Sequence, residues 1–171
     1  MHTHNDYFSM ISTETAREES GEIQLVSFLV GKEEFGADIL MVQEIIRMQP
    51  ITRVPNAPHF VEGVINLRGK VIPIVDLRKR LNVETDVDAR KIRIIVVDVD
   101  GKITGFIVDA VSQVLRIPKH TIEPAPSIVI EGIDSEYITG VSKLNDKLLI
   151  LLDFNKILSR RERQELNEVN E

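Results

Sequence analysis

The segment from Gly63 to Leu81, GVINLRGKVIPIVDLRKRL, is written again from Gly140 to Leu158 as GVSKLNDKLLILLDFNKIL. At an offset of 77 the copies share seven identities in nineteen positions: Gly63 with Gly140, Val64 with Val141, Leu67 with Leu144, Lys70 with Lys147, Asp76 with Asp153, Lys79 with Lys156 and Leu81 with Leu158. Any two apolar strands would match in Val, Ile and Leu. Aligned Gly, Lys and Asp need a duplicated unit. In each copy two β-prone runs flank a two-residue turn, Arg68-Gly69 or Asn145-Asp146, and Gly, Asn and Asp tolerate the positive φ of hairpin turns.

The duplication extends upstream. At an offset of 69, Gly36 lies over Gly105, Val42 over Val111, Ile45 over Val114, Ile46 over Leu115 and Arg47 over Arg116. The difference of eight between the offsets puts a longer connection in the second copy, within PKHTIEPAPSIVIEGIDSEYI. Each half begins with a hairpin, turning near Gly31-Lys32 in the first and at Asp100-Gly101 in the second. Asp38 is placed to cap a short helical turn over Ile39 to Val42, which passes into a strand. Pro50, Pro55 and Pro58 break regular structure before the next hairpin. Pro73 predicts an edge or bulged position in that hairpin. The acidic, turn-prone run 82–90 marks the boundary between halves.

The expected organisation is a polar lead over 1–21, one unit over 22–88, a second over 89–158, and a C-terminal helix and tail over 159–171. Ser159 and Glu162 form a capping-box signature there, with only Leu166 and Val169 as anchors, so that helix is expected to be marginal. About five short strands per half cannot make two packed sheets, so the economical closure is one small barrel per half with a groove between them. Whether the first strands of one half cross into the other is left open by the pattern.

A net charge of −6 argues against a nucleic-acid groove, and the absence of cysteine removes thiolate, disulfide and zinc-thiolate chemistry. No long uncharged apolar run or basic leader is present, so the expected location is cytoplasmic, without membrane insertion. No phosphate-binding glycine loop or nucleophile elbow occurs. His2 and His4 lie in the lead, and His59 and His120 in proline-containing loops; none has the companions of a metal or catalytic site. Asp76, Asp98, Asp100, Asp109 and Asp153 lie near strand ends and are read as turn and strand-end residues rather than an acid/base pair. No cofactor or metal is called for, and the chain is expected to bind rather than to react.

In this order and spacing, FGADILMVQEI, VEGVINLRGKVIPIVDLR, GFIVDAVSQVLRI, EPAP and YITGV resemble the CheW family of chemotaxis coupling proteins, over about residues 22–158. The resemblance implies a mainly β fold of two SH3-like five-stranded β-barrel subdomains with short helices. It also implies no enzymatic activity, and a scaffold that links chemoreceptor cytoplasmic tips to the regulatory domain of the histidine kinase CheA in arrays at the inner membrane, with other CheW copies as further partners. Carried onto this chain, the VQEI match nominates Val42 and Glu44 for receptor contact, VSQVL adds Val114, and NLRG nominates Asn66, Leu67, Arg68 and Gly69. Gly63 and Gly140 are weaker candidates for kinase contact, with a strong backbone role of their own. A receptor tip is a helical hairpin, which docks by laying an apolar stripe in an apolar groove. Arg68, at a hairpin tip, is expected to offer its forked guanidinium to a partner carboxylate. Two other readings are weighed: a signalling-enzyme fragment, since the same double barrel serves as the kinase's regulatory domain or fused to a receiver, and an unrelated two-barrel ligand binder with a closed cavity. The first needs an ATP-binding or receiver domain, for which 171 residues leave no room.

Overall fold

The computed structural model describes residues 21–84, 88–124, 137–158, 162, 164 and 165. All of the expected lead over 1–21 except Gly21, and almost all of the C-terminal segment, lie outside these residues. Ten strands run in chain order: β1 Glu22–Val30, β2 Glu33–Asp38, β3 Val42–Arg47, β4 Val61–Leu67, β5 Lys70–Asp76, β6 Arg93–Val99, β7 Lys102–Val108, β8 Ala110–Pro118, β9 Ile138–Leu144 and β10 Lys147–Leu152. The fold is mainly β, with two five-stranded sheets and short helical turns, as the resemblance implies.

The sheets do not follow the halves of the sequence. One has the order β8-β1-β2-β10-β9 and the other β3-β6-β7-β5-β4. The first hairpin of each half therefore sits in the sheet built from the other half's later strands. The division at 88/89 separates two repeats but not two sheets. The exchange obeys the repeat: β2 runs parallel to β10 with Gly36 opposite Leu151, and β7 runs parallel to β5 with Gly105 opposite Ile74. These are the same pair of positions displaced by 69 and 77. A Cβ on Gly105 would stand 2.7 Å from both Ile74 and Ile94 side chains, so close strand packing requires glycine there.

Local chemistry explains the joints. The β4–β5 turn has Arg68 at φ 49° and Gly69 at φ 87°, and the Asn66 side chain accepts from the Gly69 N–H at 2.8 Å. The β6–β7 turn repeats this with Asp100 at φ 51°, Gly101 at φ 84° and Asp98 accepting from Gly101 at 2.7 Å. Both central residues at positive φ give the turn type that matches strand twist. Asp38 caps the 3₁₀ turn Ile39–Met41 through the Leu40 N–H, and that turn redirects the chain from one sheet into the other. The matched aspartates do the same for two four-residue helices: Asp76 accepts from Arg78 N and Asp153 from Asn155 N, each at 2.9 Å, opening Leu77–Arg80 and Phe154–Ile157.

Pro73 lies beside a bulge in its hairpin, between Val61 and Gly63 of β4, but not on an edge strand. Its strand lies inside the sheet, between β7 and β4, and the ladder to β7 starts only at Ile74. Opposite it, Val64 directs both its N–H and its C=O to Thr52. Proline's missing donor is therefore not needed from the β4 side.

The core has three parts. Ile65, Ile72, Ile74, Ile94, Val96 and Ile107 fill the interior of one sheet, and Leu25, Ile117, Leu149 and Leu151 fill the other. The largest cluster lies between the sheets and takes side chains from both, among them Val26, Phe28, Val42, Ile95, Phe106, Val108 and Phe154. Phe28 packs on Phe35 and Phe154 at centroid separations of 6.0 and 5.9 Å, and Phe106 on Phe154 at 5.0 Å. The centre of the expected groove is thus packed, and what remains open is its rim. Crossing hairpins put the large phenylalanines on the shared side of both sheets, where burial is most favourable.

Candidate functional site

The edge strands β3 and β8 are repeat equivalents and flank the central core. Val42 is 2% exposed and belongs to that core, so its side chain supports the fold and offers no contact face, contrary to the expectation for it. Its neighbours on the same side are more open. Met41 and Ile45 beside β3 and Val111 and Val114 on β8 are half-buried and pack against the central cluster. Val114 thus lies at the open margin of the central cluster. Ile45, its repeat equivalent, completes the pair; alternation along a strand carries the signal, because Ile45 lies opposite Ile95 of the central cluster whereas Glu44 lies opposite Val96 of the inner one.

Glu44 and Arg68 come together, but with one another. Arg68 Nη1 donates to Glu44 Oε1 at 3.1 Å and Nη2 to Oε2, a forked pair. Mutual attraction and hydrogen bonding raise the Arg68 pKa further above its high ordinary value, first through the hydrogen bond to Glu44. The guanidinium expected to await a partner's carboxylate is already engaged within the chain. β3 and β4 are the two ends of their sheet, so the pair ties one end to the turn that follows the other. In the other sheet the equivalent positions are Gln113 and Asn145, which line a shallow cavity of about 320 Å³ with Glu34, Leu144, Asp146 and Lys147.

The rest of NLRG is local. Asn66 holds the turn, Leu67 packs on the inner cluster of its sheet, and Gly69 supplies the left-handed residue, with open space where its Cβ would be. Gly63 and Gly140 are enclosed by the chain's own backbone. A Cβ on Gly63 (φ 149°) would overlap the Thr52 carbonyl, and one on Gly140 would stand 2.9 Å from the Glu123 carbonyl and 2.7 Å from the Ile122 side chain. Thr52 and Glu123 bridge the neighbouring Val64 and Val141, covering the β4 and β9 edges in the same way. A chain segment, rather than a partner, requires these glycines.

One charged network escaped the sequence reading. Asp109, fully buried between β7 and β8, and Asp76, 4% exposed, are joined by Arg78, whose Nε and Nη2 donate to Asp76 at 3.0 Å and Nη1 to Asp109 at 3.2 Å. Asp109 also accepts from Gly31 N at the tip of the crossing hairpin β1–β2. The hydrogen bond to Asp76 is the first cause of a raised Arg78 pKa, so this cation persists throughout the neutral range. Asp109 has no repeat counterpart, since Leu40 occupies the equivalent position, and no pattern marks it.

The arrangement offers a rimmed apolar stripe with flanking charge, which suits protein association. The CheW-like domain model matches residues 24–162. The chain belongs to the CheW-like family. A chemotaxis protein CheW of Klebsiella aerogenes is 39% identical over 139 residues, covering 81% of this chain and 83% of that protein. That of Treponema pallidum is 36% identical over 149 residues, 85% of this chain and 87% of the relative. Among solved structures, the scaffolding protein TtCheW from Thermoanaerobacter tengcongensis superposes with a TM-score of 0.75 at 36% identity, over 82% of this chain and 90% of that one.

Proposed function

We propose that the chain is a non-catalytic chemotaxis scaffold that couples chemoreceptor cytoplasmic tips to the regulatory domain of the histidine kinase CheA, in cytoplasmic arrays beneath the inner membrane. The observation that carries this reading is the pair of repeat-equivalent edge strands, which bring half-buried Ile45 and Val114 to the rim of one shared core. A helix with an apolar stripe fits such a rim, where burial is incomplete until a partner covers it. Glu44 and Arg68 stand beside it as a paired, exposed unit. Kinase contact belongs to the exposed apolar residues at the ends of the β4–β5 and β9–β10 hairpins. Val71 and Leu148, repeat equivalents just after the β4–β5 and β9–β10 turns, are 52% and 53% exposed there. Gly63 and Gly140 act in that contact only by shaping the strands behind it.

The test is to mix the purified chain with a receptor signalling fragment and CheA. Co-sedimentation of all three and a change in kinase autophosphorylation are expected. Absence of both would overturn the scaffold reading.

A further inference from the structure

Two residues beyond Ile45 and Val114, on the same faces, stand Arg47 and Arg116. Both are exposed, and among the described residues neither has a carboxylate partner. Arg47 lies directly opposite Arg93 across the β3–β6 ladder, and Arg93 lies opposite core residue Val108 on its other side. Among the described residues the Arg93 guanidinium donates only to backbone, to the Arg90 and Ile92 carbonyls at 2.9 and 2.8 Å. Like charges directly opposite one another destabilise a sheet, so this placement does nothing for the fold. Three arginines thus border an apolar rim in a chain whose net charge is −6.

We infer that Arg47, Arg93 and Arg116 form a cationic border that selects a docking helix bearing carboxylates on both flanks of its apolar stripe. This rests on the receptor-tip reading and adds the charge pattern of the partner. The strand rise of about 3.4 Å per residue puts each arginine about 7 Å past its apolar neighbour. That distance is a little over one helical turn of 5.4 Å, so a carboxylate one turn from each apolar anchor meets an arginine. Such a border steers encounter and rejects partners with basic flanks more than it adds raw affinity.

The experiment titrates the full chain with a receptor cytoplasmic signalling fragment at low and high salt. R47E/R116E is expected to bind about tenfold or more weakly at low salt, with a flattened salt dependence and a melting temperature no lower than wild type, since a carboxylate at position 47 faces Arg93. The milder R47Q/R116Q should show a smaller loss of the same sign. Carboxylate-to-lysine changes on the fragment should restore binding to R47E/R116E. Wild-type binding that both variants match, with the same salt dependence, overturns the border while leaving the scaffold reading intact. Failure of the wild-type chain to bind the fragment overturns the scaffold reading and the border together.

Discussion

Glu44 on β3 and Arg68 at the β4–β5 turn form a forked ion pair that joins the two ends of one sheet, although 24 residues separate them in sequence. Both are exposed enough for water to screen them, Arg68 at 69% and Glu44 at 31%. An exposed pair adds little to stability but fixes where each charge stands. Arg68→Ala and Glu44→Ala should leave the melting temperature nearly unchanged and weaken receptor-fragment binding. The double variant should lose no more than the worse single, since each residue acts by holding the other. Additive losses in a titration calorimetry cycle would show two independent partner contacts instead.

The Asp76–Arg78–Asp109 triad should behave in the opposite way. Removing Arg78 leaves two buried carboxylates without their cation, and breaking a buried pair costs about 3–5 kcal/mol. Arg78 is 18% exposed, so the lower part of that range is expected for Arg78→Met, read from the urea midpoint. Its raised pKa means the cationic contribution is present at every pH below the ordinary arginine value and is lost only in strong alkali. Wild-type stability should therefore not fall between neutral pH and pH of about 10 on account of Arg78.

Phe106 and Phe154 test the shared core. Both are fully buried, and truncating either to Ala should cost about 3–5 kcal/mol. Because the central cluster draws on both sheets, unfolding should remain one transition rather than splitting into two. Two separated transitions in calorimetry would mean that the sheets are independent units.

Gly63 and Gly69 separate a packing glycine from a turn glycine. Gly63→Ala meets the Thr52 carbonyl at once and should destabilise by about 1–3 kcal/mol. Gly69→Ala meets open space and bears only the cost of its φ of 87°, about 1 kcal/mol. Equal losses in a thermal melt, or Gly63→Ala behaving as wild type while losing kinase binding, would return Gly63 to the contact surface.

Much of the local structure was legible in the residues themselves. Gly69, Asp100-Gly101 and Asn145 mark positive-φ turns, Asp38 marks a cap, and aligned Asp76 and Asp153 mark equivalent strand ends, now seen as helix caps. These are interactions within a few residues, so local chemistry determines them. Val42 could not be assigned: alternation shows that it faces the apolar side of β3, but a core and a binding rim share that side, and only depth in the fold distinguishes it from Ile45.

By itself the sequence determined a duplicated, mainly β chain with its hairpins, turns and caps in order, because turn geometry and alternation act over short spans. Only the tertiary structure decided which sheet each first hairpin joins. Equivalent repeats present equivalent strand edges, so β2 can satisfy the same parallel ladder with β5 or with β10, and the observed choice lies with β10. The short turn Ile39–Met41, the phenylalanines packed between the sheets and the Arg78 clamp on the crossing hairpin accompany that choice. The same long-range closure brought Arg68 to Glu44, a contact that no spacing in the chain announces.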